Sequence, residues 1–198
     1  MSKPNSFLFN KTLGAKISQY TRNSVSIDTN PSESDIIASR VKGFDLHEHP
    51  YKYKQLSRKK MAALRKKKEK RTMTKKEYKI YNSNKRLASR RDKAKIEFWH
   101  QEKLRIQNNM PTTRKWSSQQ MHDIIHNKIP KNNGKAFQAH HTYSVSKYPH
   151  LADKGEVIFP ATFKEHLYGW HGGNFKNSLP GKPINKKTLN NTRRHNND

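Results

Sequence analysis

The sequence predicts an α+β protein that is mainly α, in which long basic helices precede a small unit of two strands and a helix. Two observations predict this class. Thr74–Glu77 has the spacing of a helix-capping box, and no Pro or Gly follows before Pro111, so a helix of roughly 30 residues can form there. Beyond Gly134 the residues become β-branched and aromatic, with turn signals between short runs, which is typical of strands.

The composition points to a polyanionic partner. Lysine and arginine total 42 against 15 acidic residues, a formal net charge of +27. Such a charge favours nucleic acid as the partner, although ribosomal and membrane-surface proteins also carry it. Only 31% of the residues are hydrophobic, so the core must be small. Cysteine is absent, which excludes disulfides, thiolate zinc sites and a cysteine nucleophile.

No membrane segment is expected, because the sequence contains no run of about 18 apolar residues. The N-terminal stretch MSKPNSFLFNKTLGAKISQY also lacks the continuous apolar region of a signal peptide. Any export would therefore use another route.

Composition divides the chain into four segments. Residues 1–50 are rich in Ser, Asn, Asp and Lys, and we expect them to be an extended or weakly ordered lead segment. Residues 51–108 are a basic helical region, and residues 109–180 contain the strands. Residues 181–198 have almost no apolar content and are predicted to be a basic flexible tail.

The basic region is predicted to contact phosphate. From Lys52 to Lys76 there are 13 basic residues and one acidic residue, Glu69, which favours a solvated or phosphate-facing helix. The residues expected to bind nucleic acid are Lys59, Lys60, Arg65, Lys66, Lys67, Lys68, Arg90 and Arg91.

The long helix and its successor are predicted from apolar spacing and capping signals. Ile80, Leu87, Ala94 and Phe98 fall on one stripe of the long helix, with Trp99 and Ile106 beside it. A second capping box, Ser117–Gln120, opens a shorter helix that Pro130 and the turn KNNG close.

The segment after Gly134 is predicted to alternate strands and turns. KAFQAHH and TYSVS are expected to be strand, DKG a turn and EVIF a second strand. TFKE at Thr162–Glu165 is a third capping box and predicts a following helix.

This unit concentrates histidines, five of the 11 in the chain: His140, His141, His150, His166 and His171. Hydrolysis of a phosphodiester needs an activated water and stabilisation of the developing charge, which a divalent cation and a neutral imidazole can supply. Adjacent residues on a strand point to opposite sides. The doublet can therefore place one imidazole on a metal and leave the other to accept the proton of the water.

Three stretches, AHH at 139–141, GEVIFPATFKEH at 155–166 and WHGG at 170–173, resemble the HNH or ββα-metal nucleases. The resemblance is to colicin-type DNases and to nuclease domains of bacterial polymorphic toxins, and it implies a nuclease domain at 109–180. It implies that His140, His166 and His171 bind the metal and that His141 is the general base. It also implies one divalent ion, with Zn, Mg, Mn and Ni left open.

The chain departs from the pattern of this family at two points. His166 and His171 are roughly 140° apart on a regular helix, so both can face one ion only if the helix ends or distorts, and Gly169 offers a break. The asparagine that gives the HNH family its middle letter has no obvious counterpart, although a backbone carbonyl could orient His141 instead.

The resemblance implies a metal-dependent endonuclease toxin that cleaves DNA, with RNA left open as a substrate. Little sequence specificity is expected, because basic residues dominate and the sequence contains no recognisable base-reading module. The resemblance also implies an acidic cognate immunity protein, and delivery by a route without a signal peptide into the cytoplasm of a target bacterium. A phage or mobile-element HNH endonuclease is the alternative that would need no inhibitor.

Two other interpretations of the histidines stay open at this point. HDIIH at 122–126 comes near the zinc-peptidase motif HExxH, although Asp123 is a methylene shorter than the glutamate base. If His150 instead joined His140, His166 and His171, four ligands would close a structural zinc site, and the protein would be a non-catalytic nucleic-acid-binding module.

Overall fold

The computed structural model describes residues 31–51, 53 and 55–189. These residues form α-helices at Glu33–Arg40, Arg58–Glu69, Lys75–Gln107 and Ser118–Ile125. Strand β1 (Lys131–Asn132) pairs with β2 (Lys135–Ala136), and β3 (Gln138–His141) pairs with β4 (Ile158–Ala161), both antiparallel. The prediction of an α+β, mainly α protein is confirmed. In the described part of the chain, no helix combines the length and the apolar character that crossing a membrane requires.

The long helix, Lys75–Gln107, begins at the predicted capping box. The Thr74 hydroxyl accepts from the amide of Glu77, and the Glu77 carboxylate accepts from the amide of Thr74. Leu87, Ala94 and Phe98 are buried as predicted, but Ile80 is exposed and Tyr81 is buried in its place. At this end the long helix faces Arg58–Glu69, which we call the basic helix, and Lys68 Nζ lies 5.9 Å from the centre of the Tyr81 ring.

The long helix packs directly on the strand unit. Ala94 and Phe98 contact Ile158 of β4, and Leu87 packs with Val145 and Ala152. Gly155 allows the close approach, because a Cβ atom there would lie 2.8 Å from the backbone nitrogen of Phe98. The core therefore joins residues of the predicted helical region 51–108 with residues of the predicted segment 109–180. The boundaries between these segments stay a prediction.

Both ends of the described chain enter the main core, in contrast to the extended lead segment and the flexible tail predicted. A capping box at Ser32–Asp35 starts the helix Glu33–Arg40, and Ile37 and Val41 pack in a cluster with Leu189 and Trp170. These segments have few apolar residues, and sequence composition does not reveal that Ile37, Val41 and Leu189 are buried in the core. Residues 1–30 and 190–198 lie outside the described residues.

A buried polar cluster fixes the first described helix to the long helix. Glu102 is fully buried and accepts hydrogen bonds from the Trp116 indole and the Thr113 amide, both at 2.7 Å. Arg105 donates to Glu102 at 3.1 Å, and Arg40 donates to the Thr113 hydroxyl. Burial of these charges is tolerable because each is paired or hydrogen-bonded.

The strand predictions were partly wrong. β3 ends at His141, and TYSVS forms turns in which Tyr143 and Val145 are buried. The alternation of Tyr143 and Val145 reflects their burial in the core and not the hydrogen bonding of a strand. Gly155–Val157 is a 3₁₀ turn, so the second strand begins at Ile158.

The third capping box is confirmed, because the amides of Thr162 and Glu165 are bound by each other's side chains at 2.7 and 3.3 Å. After two α-helical residues, Phe163 and Lys164, the helix that follows is a π-helix over Glu165–Trp170.

Candidate metal centre and nucleic-acid interface

Three histidines from two elements converge beside the β3–β4 sheet. His140 lies on β3, while His166 lies in the π-helix and His171 directly after it. One nitrogen from each ring lies within 4.8 Å of the other two. Two nitrogen ligands of one zinc ion are at most about 4.2 Å apart, so small side-chain rotations would bring this trio to metal-binding distance. We call these three residues the histidine trio.

The π-helix removes the difficulty posed by the five-residue spacing. The amide of His171 donates to the carbonyl of His166 at 3.2 Å, a hydrogen bond between residues five apart. That bond brings the two residues to the same side, where a regular helix would separate them by roughly 140°. Gly169 allows Leu189 to pack closely against this turn, because a Cβ atom at position 169 would lie 3.1 Å from Leu189 Cγ.

In two histidines of the trio, one ring nitrogen is hydrogen-bonded to an oxygen that can only accept a hydrogen bond. His166 Nδ1–H donates to the Gln138 side-chain oxygen at 2.6 Å, and His171 Nδ1–H donates to the Asn177 backbone carbonyl at 2.5 Å. The lone pairs of these rings are therefore on Nε2. Metal-bound histidines commonly have such partners, which fix the tautomer and the ring orientation.

Sequence reasoning missed both of these partners. Gln138 precedes His140 by two positions, so strand alternation puts the two side chains on the same face of β3 and could have revealed it. Asn177 contributes a backbone carbonyl, for which no sequence signal exists.

His141 stands apart from the trio, on the other face of β3. Its Nε2–H donates to the Ala152 carbonyl at 3.1 Å, which leaves the lone pair on Nδ1. A backbone carbonyl thus contacts this imidazole, the arrangement that the sequence left open in the absence of the asparagine.

The surroundings favour neutral imidazoles. Burial, together with the neighbouring histidines, holds the pKa of His140 well below its usual range. Burial also lowers the pKa of His141 to about 4, with smaller contributions from the charges of Arg91 and Lys95. Burial and His171 lower the pKa of His166 to about 4. Neutral imidazole is the form that binds a metal or accepts a proton.

An ion pair holds the start of the helix that carries His166. Arg114 donates to both oxygens of Glu165 at 3.0 and 3.1 Å and to the Pro160 carbonyl at 3.0 Å. The Glu165 carboxylate also accepts from the amide of Thr162, as the capping box predicted. One carboxylate therefore joins the end of β4 to the helix. Arg114 was not expected from sequence.

Within the described residues, the alternative histidine arrangements do not bring a comparable set of metal ligands together. His122 and His126 are exposed and stack at 4.1 Å, and within the described residues they belong to no group of three potential ligands. His150 donates from Nε2 to the Asp45 carbonyl at 2.9 Å and is outside the trio. The fourth ligand of a closed zinc site is therefore not supplied by His150.

The predicted nucleic-acid-binding residues have different surroundings. The basic helix, which is described throughout, has no buried residue and carries Lys59, Lys60, Arg65, Lys66, Lys67 and Lys68. Of these, Lys67 pairs with Glu77 at 2.5 Å and Arg65 approaches Glu69 at 3.9 Å.

Arg90 and Arg91 are adjacent on the long helix but differ in their contacts. Arg90 donates to Asp153 at 2.7 Å and to the His150 carbonyl at 3.1 Å. Arg91 lies close enough to His141 to affect its pKa, and its buried Nε has no hydrogen-bond partner.

Comparison with protein families finds a family whose model covers part of this chain. The family model of GHH signature containing HNH/Endo VII superfamily nuclease toxins matches residues 82–162. The resemblance to HNH nucleases is confirmed. The matched range contains His140 and His141, preceded by Ala139, and it ends before His166 and His171. A comparison with curated proteins finds no match.

Proposed function

We propose that this chain is a metal-dependent endonuclease that hydrolyses the phosphodiester bonds of DNA with little sequence specificity, as the toxin domain of a bacterial polymorphic toxin. One observation carries the proposal. Within a segment of the nuclease toxin family, one histidine of the doublet faces two further histidines while the other stands apart on a backbone carbonyl.

His140, His166 and His171 fit a divalent cation. Their nitrogens are close together, burial favours the neutral rings of His140 and His166, and Nδ1 of His166 and of His171 is occupied by a carbonyl oxygen. When bound, the cation would stabilise negative charge on the phosphate and on the leaving oxygen. Three protein ligands leave a position open, as catalytic sites require. Imidazole suits Zn, Mn and Ni, while Mg would keep several waters.

We propose that His141 is the general base. Its Nδ1 lone pair accepts the proton of the attacking water, and its Nε2–H stays on the Ala152 carbonyl and holds the ring in place. A pKa of about 4 keeps this imidazole unprotonated at neutral pH. The negative phosphate of a bound substrate would raise that pKa towards the working pH, which makes the ring a better proton acceptor.

We propose that the basic helix and Arg91 contact the phosphate backbone. The exposed lysines can approach a polyanion without losing packing, and Arg91 lies beside the proposed base. Arg90 would first have to leave Asp153, so we assign it mainly to holding the 150–153 turn against the long helix. Phosphate contacts carry no sequence information, which supports low specificity.

The toxin assignment implies a cognate immunity protein. We propose that it is acidic, because long-range attraction would steer it to a surface of this charge, and that it binds faster at low salt. Delivery into the cytoplasm of a target bacterium completes this proposal. Normal growth of bacteria that accumulate the active protein without an inhibitor would favour the phage or mobile-element alternative.

The direct test is cleavage of plasmid DNA by the purified chain in EDTA and in a series of Zn, Mg, Mn and Ni. We expect no cleavage in EDTA and a smear of products with at least one metal. Discrete fragments would contradict low specificity, and activity in EDTA would contradict metal dependence. An RNA substrate in parallel decides between the two nucleic acids.

A further inference from the structure

A groove lies next to the histidine trio, between the β1–β2 hairpin and the start of the helix that follows β4. Its volume is about 730 Å³, which exceeds the space that one nucleotide needs. The side chains that matter for its chemistry are Asn132, Asn133, Lys135, Gln138, Phe163 and Lys164.

The hairpin that forms one wall of the groove is held by defined contacts. The hairpin pairs Asn132 with Lys135, so Asn133 and Gly134 form a two-residue turn, and both have the positive φ angles that such turns require. Gln120 donates to the Lys131 carbonyl at 2.9 Å and ties the hairpin to the preceding helix.

Aromatic rings join the groove to the trio. Phe163 and Phe175 are each 53% exposed, and their ring centres are 6.5 Å apart. Phe175 lies 5.3 Å from the His166 ring and 5.2 Å from the His171 ring. Bases of single strands stack on exposed aromatic side chains of this kind.

The polar lining suits a nucleotide. Lys135 and Lys164 provide positive charge, the described lining contains no carboxylate, and Asn132 and Asn133 offer amides for base edges. Gln138 lines the groove and also accepts from His166 Nδ1 at 2.6 Å, so an occupant would lie next to the proposed metal centre.

We propose that this groove binds an unpaired nucleotide of the substrate strand, with its base stacked on Phe163 and its phosphate between Lys135 and Lys164. The inference rests on the proposed nuclease function and specifies its substrate. A base inside a duplex has both faces covered by its neighbours, so stacking on Phe163 requires a single-stranded or locally opened strand.

Binding can be measured separately from cleavage with the full chain carrying His141→Ala. Fluorescence anisotropy would use labelled single-stranded DNA, single-stranded RNA and duplex DNA of equal length. Adding Phe163→Ala should weaken single-strand binding about 5- to 150-fold, which corresponds to one base stack, with little change for duplex. Phe163→Trp should restore it, and the RNA and DNA arms show which strand is preferred.

Tyr51→Ala is the matched control, because Tyr51 is 81% exposed and lies outside the groove lining and the contacts of the trio. Equal losses for duplex and single strand, or no loss for either, would overturn the groove proposal. Plasmid cleavage by a Phe163→Ala variant that retains His141 separates the groove proposal from the nuclease proposal. If that cleavage persists while single-strand binding is unaffected, the groove proposal fails and the nuclease proposal stands.

Discussion

The histidine trio and the basic helix differ in how far their side chains are buried and held by contacts. The trio is partly or fully buried, and Gln138 and Asn177 fix two of its rings. The basic helix has no buried residue, and its described ion pairs involve only Glu69 and Glu77. A metal centre needs fixed distances, whereas attraction to a polyanion needs only charge. Substitutions should therefore act through geometry in the first region and through the number of charges in the second.

The largest effect is expected inside the site. His141→Ala should lower the single-turnover cleavage rate about 10²- to 10⁴-fold, because the proton acceptor is lost, while metal binding stays close to normal. His140→Ala should weaken metal binding as well. Cleavage of plasmid DNA and metal titration by calorimetry measure the two properties. If both variants lose metal equally, the doublet has no division of roles.

The next effect concerns the support of the site. Arg114→Ala leaves Glu165 buried without its partner and should lower the free energy of unfolding by about 3–5 kcal/mol in urea. Arg90→Ala is the matched control, because the Arg90–Asp153 pair is partly exposed and should cost about 1 kcal/mol or less. Equal losses in the two variants would show that burial does not distinguish these ion pairs.

Local signals predicted the elements well. The capping boxes at Thr74, Ser117 and Thr162 each start a helix, since a cap depends on residues three apart. The helix Glu33–Arg40 was missed although Ser32–Asp35 is itself a capping box, and the burial of Leu189 was missed because it depends on a core formed by distant residues. TYSVS was mistaken for strand because buried turns and strands share the same residue types.

The same distinction applies to the candidate site. The sequence pointed to the doublet and the later histidines, and His140, His166 and His171 lie together in the fold. The five-residue spacing of His166 and His171 signalled a distortion but not its form, because a π-helix depends on the packing around it. Arg114 and Asn177 act across the fold or through the backbone and leave no local pattern.

Acid should destabilise the metal-free protein through His140, His141 and His166. Their folded pKa values lie below the unfolded value of about 6.5, with those of His141 and His166 at about 4. Between these values the unfolded chain binds more protons, so stability should fall as pH drops from 6.5 to 4 and should not respond to these groups above pH 7. Melting temperatures across this range measure the effect, and His141→Gln should reduce the slope. An unchanged slope would mean that His141 is not buried as a neutral ring.

The smallest effect is expected from single lysines of the basic helix. Lys59 and Lys66 are seven residues apart and therefore lie on the same side of this helix. If each contacts one phosphate, Lys66→Gln should reduce the slope of log affinity against log salt by about 1, and the double variant with Lys59→Gln by about 2. Neither variant should change metal binding or stability, because no packing is lost. Lys67→Gln is the control: Glu77 already neutralises that ammonium, so its removal should change the slope less. The measurement is binding to duplex DNA at several salt concentrations in the His141→Ala background. Should Lys67→Gln and Lys66→Gln have equal effects, the helix attracts nucleic acid only through its total charge, and no phosphate track runs along one side of it.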